Sequence, residues 1–512
     1  MNNQKKYYIT TPIYYVNASP HIGHAYTTLA ADILSRAHKS WGEDVFFLTG
    51  TDEHGVKILQ AAQNFNKLKS QISNLKIDNK KIAKEFTDKI SQEFKDAWKL
   101  LNIKYDYFVR TTDKNHEKFV QEFLSQLYKK GDIYSGIYEG LYCVGCEEYK
   151  KKEDLKDNNC PIHEKQVESV KENVYFFKLS KYQEKIIELI KTDQVKIRPL
   201  ERKNEVLGFL ANKLEDTAIS RSQVEWGIKV PWDEKQTIYV WVDALLNYLS
   251  VIEQLKVKSE KLKVDGSTSI NQELRTKNLE LNKYWAPDLQ LIGKDILRFH
   301  AVIWIGLLLS AELELPRELF VHGFFTVDKQ KMSKTLGNVI TVQELIKKYG
   351  STSSPQAGID ATRYLLISSF PFGNDGDFSF EELDRRYESE LANGLGNLVQ
   401  RTVVLAKKFD VKFNPKNPDY CKKIQAKLKN IDFDGALEII RDRIVEANQF
   451  INQTKPWESG DKEIIRKLQQ KLEKIAYDIT PFMPATSQKI IEQLKSGKAK
   501  PLFPKKRESL IV

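Results

Sequence analysis

The chain has 512 residues, 41% hydrophobic and 11% aromatic, which is too long for one core and too apolar for a disordered chain. Lys and Arg number 80 against 69 Asp and Glu, a net charge of +11; that surplus suits a polyanionic partner, although a Lys- and Asn-rich base composition also produces it. No apolar run reaches the length of a membrane span, the start MNNQKKYYIT has no apolar signal core, and four cysteines do not make a disulfide framework.

Residues 7–10, YYIT, read as a buried strand, and 25–39 carry Leu29, Ala30, Ile33, Leu34 and Ala37 on one helical face. Between them lies TTPIYYVNASPHIGHA, so His21, Gly23 and His24 fall where a strand turns into a helix N-terminus. Free N–H groups and the macrodipole favour phosphate there, and Gly23 leaves the backbone open to a base or ribose. A helix that merely begins with two histidines is the plain alternative. Residues 45–49, VFFLT, read as a second strand ending in GTDEHG. Asp52 and His54 are then candidates for a ribose, an amino group or a metal-bound phosphate, or else form a polar turn capping the next helix. Strand and helix patterns alternate to about residue 115 and resume near 226, which makes the class α/β.

The alternation breaks between. Cys143 and Cys146 form CxxC, and after thirteen residues Cys160 and His163 form CxxH. Three thiolates and an imidazole from two tight turns suit tetrahedral zinc, and four protein ligands close the site, so the ion is structural. Cys421 stands alone. Further on, 237–242 read as a strand before DALLNY, and 256–283 as an inserted loop with partial helix. Residues 289–292 read as a strand, after which Gly293, Lys294 and Asp295 open an apolar helix with Phe299, His300 and Trp304. The apolar stretch 301–311 is too short to cross a membrane and reads as a buried helix. In KQKMSKT, Lys331 and Lys334 flank Met332 and Ser333; such lysines bind pyrophosphate as point charges, or form an ordinary solvated turn. Beyond about 386 the spacing is helical, ending in a polar tail.

HIGH with a distant KMSKT resembles the signature pair of the class I aminoacyl-tRNA synthetases. TPIYYVN, FLTGTDEHG, the cysteine knuckle, YVWVDALLNY, LIGKDILRFH and KPW narrow the resemblance to the methionyl-tRNA synthetases, over nearly the whole chain. It implies a Rossmann parallel sheet (1–115 and 226–321) split by a zinc-containing insertion (116–225). A stem-contact segment with the KMSKT loop (322–385) and an anticodon-binding helix bundle (386–512) would follow. The implied reaction joins methionine and ATP into methionyl adenylate and pyrophosphate, then transfers methionine to the 3′ end of tRNA(Met). ATP, Mg2+ and one Zn2+ are the implied cofactors.

By the same resemblance His21, His24, Lys331 and Lys334 are catalytic, and Gly23, Gly293 and Ser333 join them around ATP. Ile13, Tyr15, Trp241, Ala244, Tyr248, Phe299, His300 and Trp304 would form the methionine pocket; Asp52 would take the α-amino group and Asp295 orient the pocket. A hydrogen bond from Tyr248 or His300 to the thioether would help reject leucine. Asn397, Arg401 and Trp457 match readers of the CAU anticodon. KMSKT replaces KMSKS, one knuckle stands where some relatives carry two, and the chain stops after the bundle without the domain through which some relatives dimerise, so a monomer is expected; the lack of a signal core makes a cytoplasmic location the expectation. A small-molecule nucleotidyltransferase and a zinc-containing RNA-binding protein are the rival readings. The first lacks a use for the bundle, and the second for aligned phosphate ligands.

Overall fold

The structure is a computed structural model that describes residues 4–69, 78–150, 152–161, 165–252, 284–327, 329–331, 339–350, 355–416 and 420–504. Its centre is a parallel sheet of six strands: β1 (Lys6–Tyr15), β2 (Asp44–Asp52), β3 (Tyr107–Arg110), β4 (Lys196–Arg198), β5 (Leu289–Gly293) and β6 (Glu318–His322). Their spatial order is β3-β2-β1-β5-β6-β4, with every adjacent pair parallel. Near-continuous apolar runs such as VFFL and LQLI suit strands covered on both faces, and β2 is buried from Val45 to Asp52.

From β1 the chain passes through helix α1 (Ile22–Ser40) to β2 on one side, whereas β5 leads to β6 on the other. The direction of winding therefore reverses between β1 and β5. A crevice opens beyond the strand C-termini at such a point, and that is where ligands bind in this architecture. HIGH sits beyond β1 and GKD at the end of β5, so both motifs face the same crevice. The β1–β2 register also shifts between Thr10 and Ile13, around Pro12. A proline breaks the ladder there and re-aims the strand end that carries Ile13 and Tyr15.

Within 116–225 the pairing is antiparallel except for β4 (Lys196–Arg198), which returns to the edge of the central parallel sheet beside β6. Strand Ile133–Cys143 pairs along its length with Glu168–Phe177, and its last residue is the first cysteine of the knuckle. One expected strand is corrected. The ladder of Asp233–Ile238 stops at Ile238, and Val240–Leu245 is a helix. Burial of Val240, Val242, Ala244 and Leu245 around nearly the whole of this short helix overrides the strand propensity of IYVWV. The apolar stretch after β5 winds as a π-helix, Phe299–Trp304, then as an α-helix, Ile305–Ser310. The expected loop at 256–283 lies outside the described residues.

Two cores cover the sheet. One joins Tyr8, Leu48, Val242 and Trp304 to the insertion through Leu127 and Phe177. The other joins Leu29 and Ile33 of α1 to Leu365 and to Leu437, Ile475 and Phe482 among the C-terminal helices. Among the described residues no helix is long and apolar enough to cross a membrane.

Candidate active site

The crevice encloses about 780 Å³ and is lined by the ends of β1, β2 and β5, by the start of α1 and by the knuckle. His21 is the N-cap of α1: its Nδ1 accepts from the Gly23 amide at 3.0 Å, and His24 Nδ1 accepts from the His21 amide at 3.3 Å. This is a capping box built from imidazoles. Because each Nδ1 accepts a backbone proton, the neutral rings carry their own proton on Nε2. Burial, then the neighbouring His21, holds the His24 pKa well below the usual range. The pair therefore offers neutral N–H donors at the positive end of a helix.

Asp52 ends β2 with 2% exposure, and its Oδ1 has no hydrogen-bond partner; the Tyr15 hydroxyl beside it has none either. Burial first, then Asp243 and Glu147, push the Asp52 carboxyl well above its usual range. A dehydrated carboxylate facing a cavity among other acids is what a bound ammonium would relieve.

The apolar wall is aromatic. Trp241 stacks on Phe299 at 3.9 Å and meets Tyr15 edge-on at 6.3 Å, with Ile13, Ala244 and Tyr248 beside them. Trp304 is fully buried behind Tyr248, its indole donating to Gln290 Oε1 at 3.1 Å, and it supports the wall without lining it. His300 Nδ1–H donates to the Ile296 carbonyl at 3.0 Å, and burial lowers its pKa to about 4. The neutral ring must then accept the Tyr248 hydroxyl on Nε2, at 2.8 Å. Both protons are committed, so the expected hydrogen bond to a thioether is not offered by this arrangement.

Gly293 leaves room for the Asp295 carboxylate, since a Cβ there would lie 2.6 Å from Oδ1 and displace that side chain. His54 does not line the crevice. It is buried, with Nδ1 2.7 Å from Asp243 Oδ2, and Asp243 also binds His116 at 2.7 Å. Lys331 ends a short strand, Gln330–Lys331, paired with Phe325–Val327; Ser333 and Lys334 lie outside the described residues.

Sequence reading missed several lining groups. Lys57 donates from Nζ to the Gly145 carbonyl at 2.9 Å and from its amide to Glu147 Oε1 at 2.6 Å. Lys294 pairs with Asp375 at 2.6 Å at the rim. His322 Nδ1–H donates to the Gly323 carbonyl at 2.9 Å, its Nε2 accepts from Thr27 at 2.7 Å, and burial lowers its pKa to about 4. Lys294 stood inside the quoted LIGKDILRFH; the others carry no local signal.

His300 and His322 give a pH test. Their folded pKa values are depressed, so between about pH 6.5 and 4 the unfolded chain binds protons that the folded chain does not. Stability is then expected to fall as pH drops through that window, by on the order of 3 kcal/mol per histidine. Thermal unfolding at pH 7 and pH 5 measures this, and His322→Gln should flatten the dependence; an unchanged slope would remove His322 from the account.

In the knuckle, the Sγ atoms of Cys143, Cys146 and Cys160 lie within 4.8 Å of one another. His163 lies outside the described residues. Three converging soft donors suit a zinc-like ion. The knuckle also builds the site, because the Trp241 indole donates to the Cys146 carbonyl at 3.2 Å, and Gly145, Cys146 and Pro161 line the crevice. Cys421 is a half-buried residue whose amide donates to Asp478 at 3.1 Å. Among the C-terminal helices, Arg401 donates to Asn452 Oδ1 at 2.8 Å and lies 5.6 Å from the centroid of Trp457, which is 39% exposed. Asn397, exposed, starts the same helix one turn earlier.

A parallel sheet with two histidines at its first crossover helix, facing a crevice at the switch point of the sheet, is the arrangement of a nucleotide-dependent enzyme of the synthetase type. The family model described as tRNA synthetases class I (M) matches residues 7–153 and 145–403. The methionine–tRNA ligase of Caldanaerobacter subterraneus is 39% identical over 96% of this chain and 74% of its own length. That of Clostridium acetobutylicum is 40% identical over 96% and 74%. A Mycobacterium tuberculosis methionyl-tRNA synthetase, solved in complex with methionyl-adenylate, superposes with a TM-score of 0.81 at 31% identity, covering 98% of this chain and 100% of that one. The chain belongs to the methionine–tRNA ligases of class I.

Proposed function

We propose that the crevice makes methionyl adenylate from methionine and ATP and then passes methionine to tRNA(Met). The observation that carries this is the unpartnered Oδ1 of the buried Asp52 carboxylate, beside an aromatic slot and two neutral imidazole donors. Methionine's ammonium pairs with Asp52, and its side chain lies among Ile13, Tyr15, Trp241, Ala244, Tyr248, Phe299 and His300. Sulfur–aromatic contact adds about 0.3–1.5 kcal/mol. Its carboxylate oxygen attacks the α-phosphorus, the bond to the β-phosphate breaks, and pyrophosphate leaves. The terminal ribose hydroxyl of tRNA then attacks the carbonyl and AMP leaves. No protein nucleophile is needed, so catalysis is positioning and charge stabilisation.

His21 and His24 donate from Nε2 to the α-phosphate; Gly23 and Gly293 let the nucleotide approach the backbone, and Asp295 orients the slot. Lys331, Ser333 and Lys334 hold the outer phosphates, where Mg2+ supplies charge neutralisation when bound. Cys143, Cys146, Cys160 and His163 hold one structural Zn2+. Asn397, Arg401 and Trp457 read the CAU anticodon by hydrogen bonding and stacking. The division at 1–115, 116–225, 226–321, 322–385 and 386–512 belongs to this reading, as do a monomeric state and a cytoplasmic location.

Pyrophosphate–ATP exchange across the twenty amino acids is the test. Exchange with methionine alone is expected; none with any amino acid would refute the reading. Trp457→Ala should lower kcat/KM for tRNA by about 10–100-fold while sparing exchange, since base stacking contributes about 1–3 kcal/mol. Unaltered charging would remove Trp457 from the anticodon site.

A further inference from the structure

Arg363, in the helix Pro355–Ser368, has no solvent exposure and takes no part in the chemistry above. Its guanidinium reaches three distant segments. One Nη2 contact is to Asp32 Oδ2 of α1, at 2.7 Å. Nη1 donates to the Leu101 carbonyl at 3.0 Å, in the loop that leaves Asn79–Leu100. Nε and Nη2 donate to the carbonyls of Phe482 and Pro481, at 2.9 and 3.0 Å, between the last two long helices. Asp32 is itself fixed by Arg36 Nε at 2.7 Å and by the Lys104 amide at 2.8 Å.

One turn before Arg363, Asp360 Oδ2 accepts the amide of Thr486, in the first turn of Pro484–Ser496, at 2.5 Å. Leu29, Ile33, Leu365, Phe482 and Ile490 continue the contact as one apolar core. The helix Pro355–Ser368 is thus bolted to α1 by Arg363 and to the C-terminal helices by both residues. Asp32 lies ten residues along α1 from Ile22, about 15 Å at 1.5 Å per residue, and His21 and His24 stand at that same end.

A buried ion pair is a poor source of stability, because dehydration offsets most of its attraction. What a planar guanidinium does supply is direction: five N–H groups in a rigid fork allow few arrangements of their acceptors. We propose that Arg363 is a positioning residue that fixes the spacing between the adenylate-forming crevice and the Arg401–Trp457 face, so that a single tRNA engages both at once. The inference rests on the function proposed above. A ligand that bridges two sites binds the second as an intramolecular event, whose effective concentration depends on how rigidly the protein sets their separation. Methionine and ATP occupy the crevice alone and do not sense that spacing.

Arg363→Lys retains the charge for Asp32 but cannot span the three carbonyls. In the full chain it is expected to lower kcat/KM for tRNA charging roughly tenfold, mainly through KM for tRNA. Methionine-dependent exchange should stay within about twofold, and KM for methionine and ATP should not move. Charging that is unchanged, or charging and exchange that fall together, would overturn the proposal, the second because a damaged core lowers both. Asp360→Asn loosens the bond to the Thr486 amide while leaving the side chain and all four hydrogen-bond acceptors of Arg363 in place, and it should give the same split; it decides the matter if Arg363→Lys does not fold. Absence of exchange in the unsubstituted protein would defeat the proposed function instead, and is read separately.

Discussion

Asp52→Ala is expected to lower kcat/KM for methionine in pyrophosphate exchange by roughly 10²–10⁴, with KM for ATP little changed. The size follows from truncating one partner of a buried charge pair, about 3–5 kcal/mol, at about 1.4 kcal/mol per tenfold. In the free protein the same carboxyl is a burden. Its Oδ1 has no partner, and burial with Asp243 and Glu147 nearby pushes its pKa well above the usual range. A raised carboxyl pKa means that the folded state holds a proton the unfolded chain releases, so this group costs stability once pH exceeds the unfolded value. Asp52→Asn should therefore leave the thermal midpoint unchanged or higher while activity is lost. Calorimetry beside the exchange assay measures both; a lower midpoint that tracks the lost activity would make Asp52 a structural residue.

Metal removal should have the other large effect. The backbone around Cys146 holds two walls of the crevice, through the Trp241 indole on the Cys146 carbonyl and the Lys57 ammonium on the Gly145 carbonyl. Structural zinc contributes about 10–16 kcal/mol in isolated knuckle peptides, far more than the remaining contacts of so short a turn. Treatment with a strong chelator, or Cys146→Ser, is expected to release about one ion per chain, shift Trp fluorescence and reduce exchange at least tenfold. Zinc should restore the chelated protein, and Cys421→Ser should behave as the parent. Full exchange by a metal-free protein would show that the knuckle stands without an ion.

Much of this site is legible from residue types and spacing. A strand running into HIGH announces an anion site, because the helix N-terminus and two imidazoles are local facts. CxxC with CxxH announces a soft-metal site, because ligand spacing within a turn is local too. Other readings failed where burial outweighed pattern. The strand expected at 237–242 is half helix, because the core closes around Val240, Val242 and Leu245 on nearly all sides of a short helix. His54, a candidate for ligand contact, is turned inward by Asp243, 189 residues away.

The sequence by itself determined the chemical inventory: the paired histidines, the thiol knuckle and the acid at the end of β2, with the aromatic slot legible only through the family resemblance. Only the tertiary structure decided the state of each group. His300 and His322 are neutral, with fixed tautomers, because burial disfavours the charged ring and a local carbonyl and a distant hydroxyl claim the two nitrogens of each. One oxygen of Asp52 stays unpaired because nothing folded against it donates to Oδ1, and the knuckle belongs to the active-site wall because Trp241 reaches its backbone. The reason is general: desolvation and proton placement depend on which groups meet in space, and one-dimensional spacing does not record those meetings.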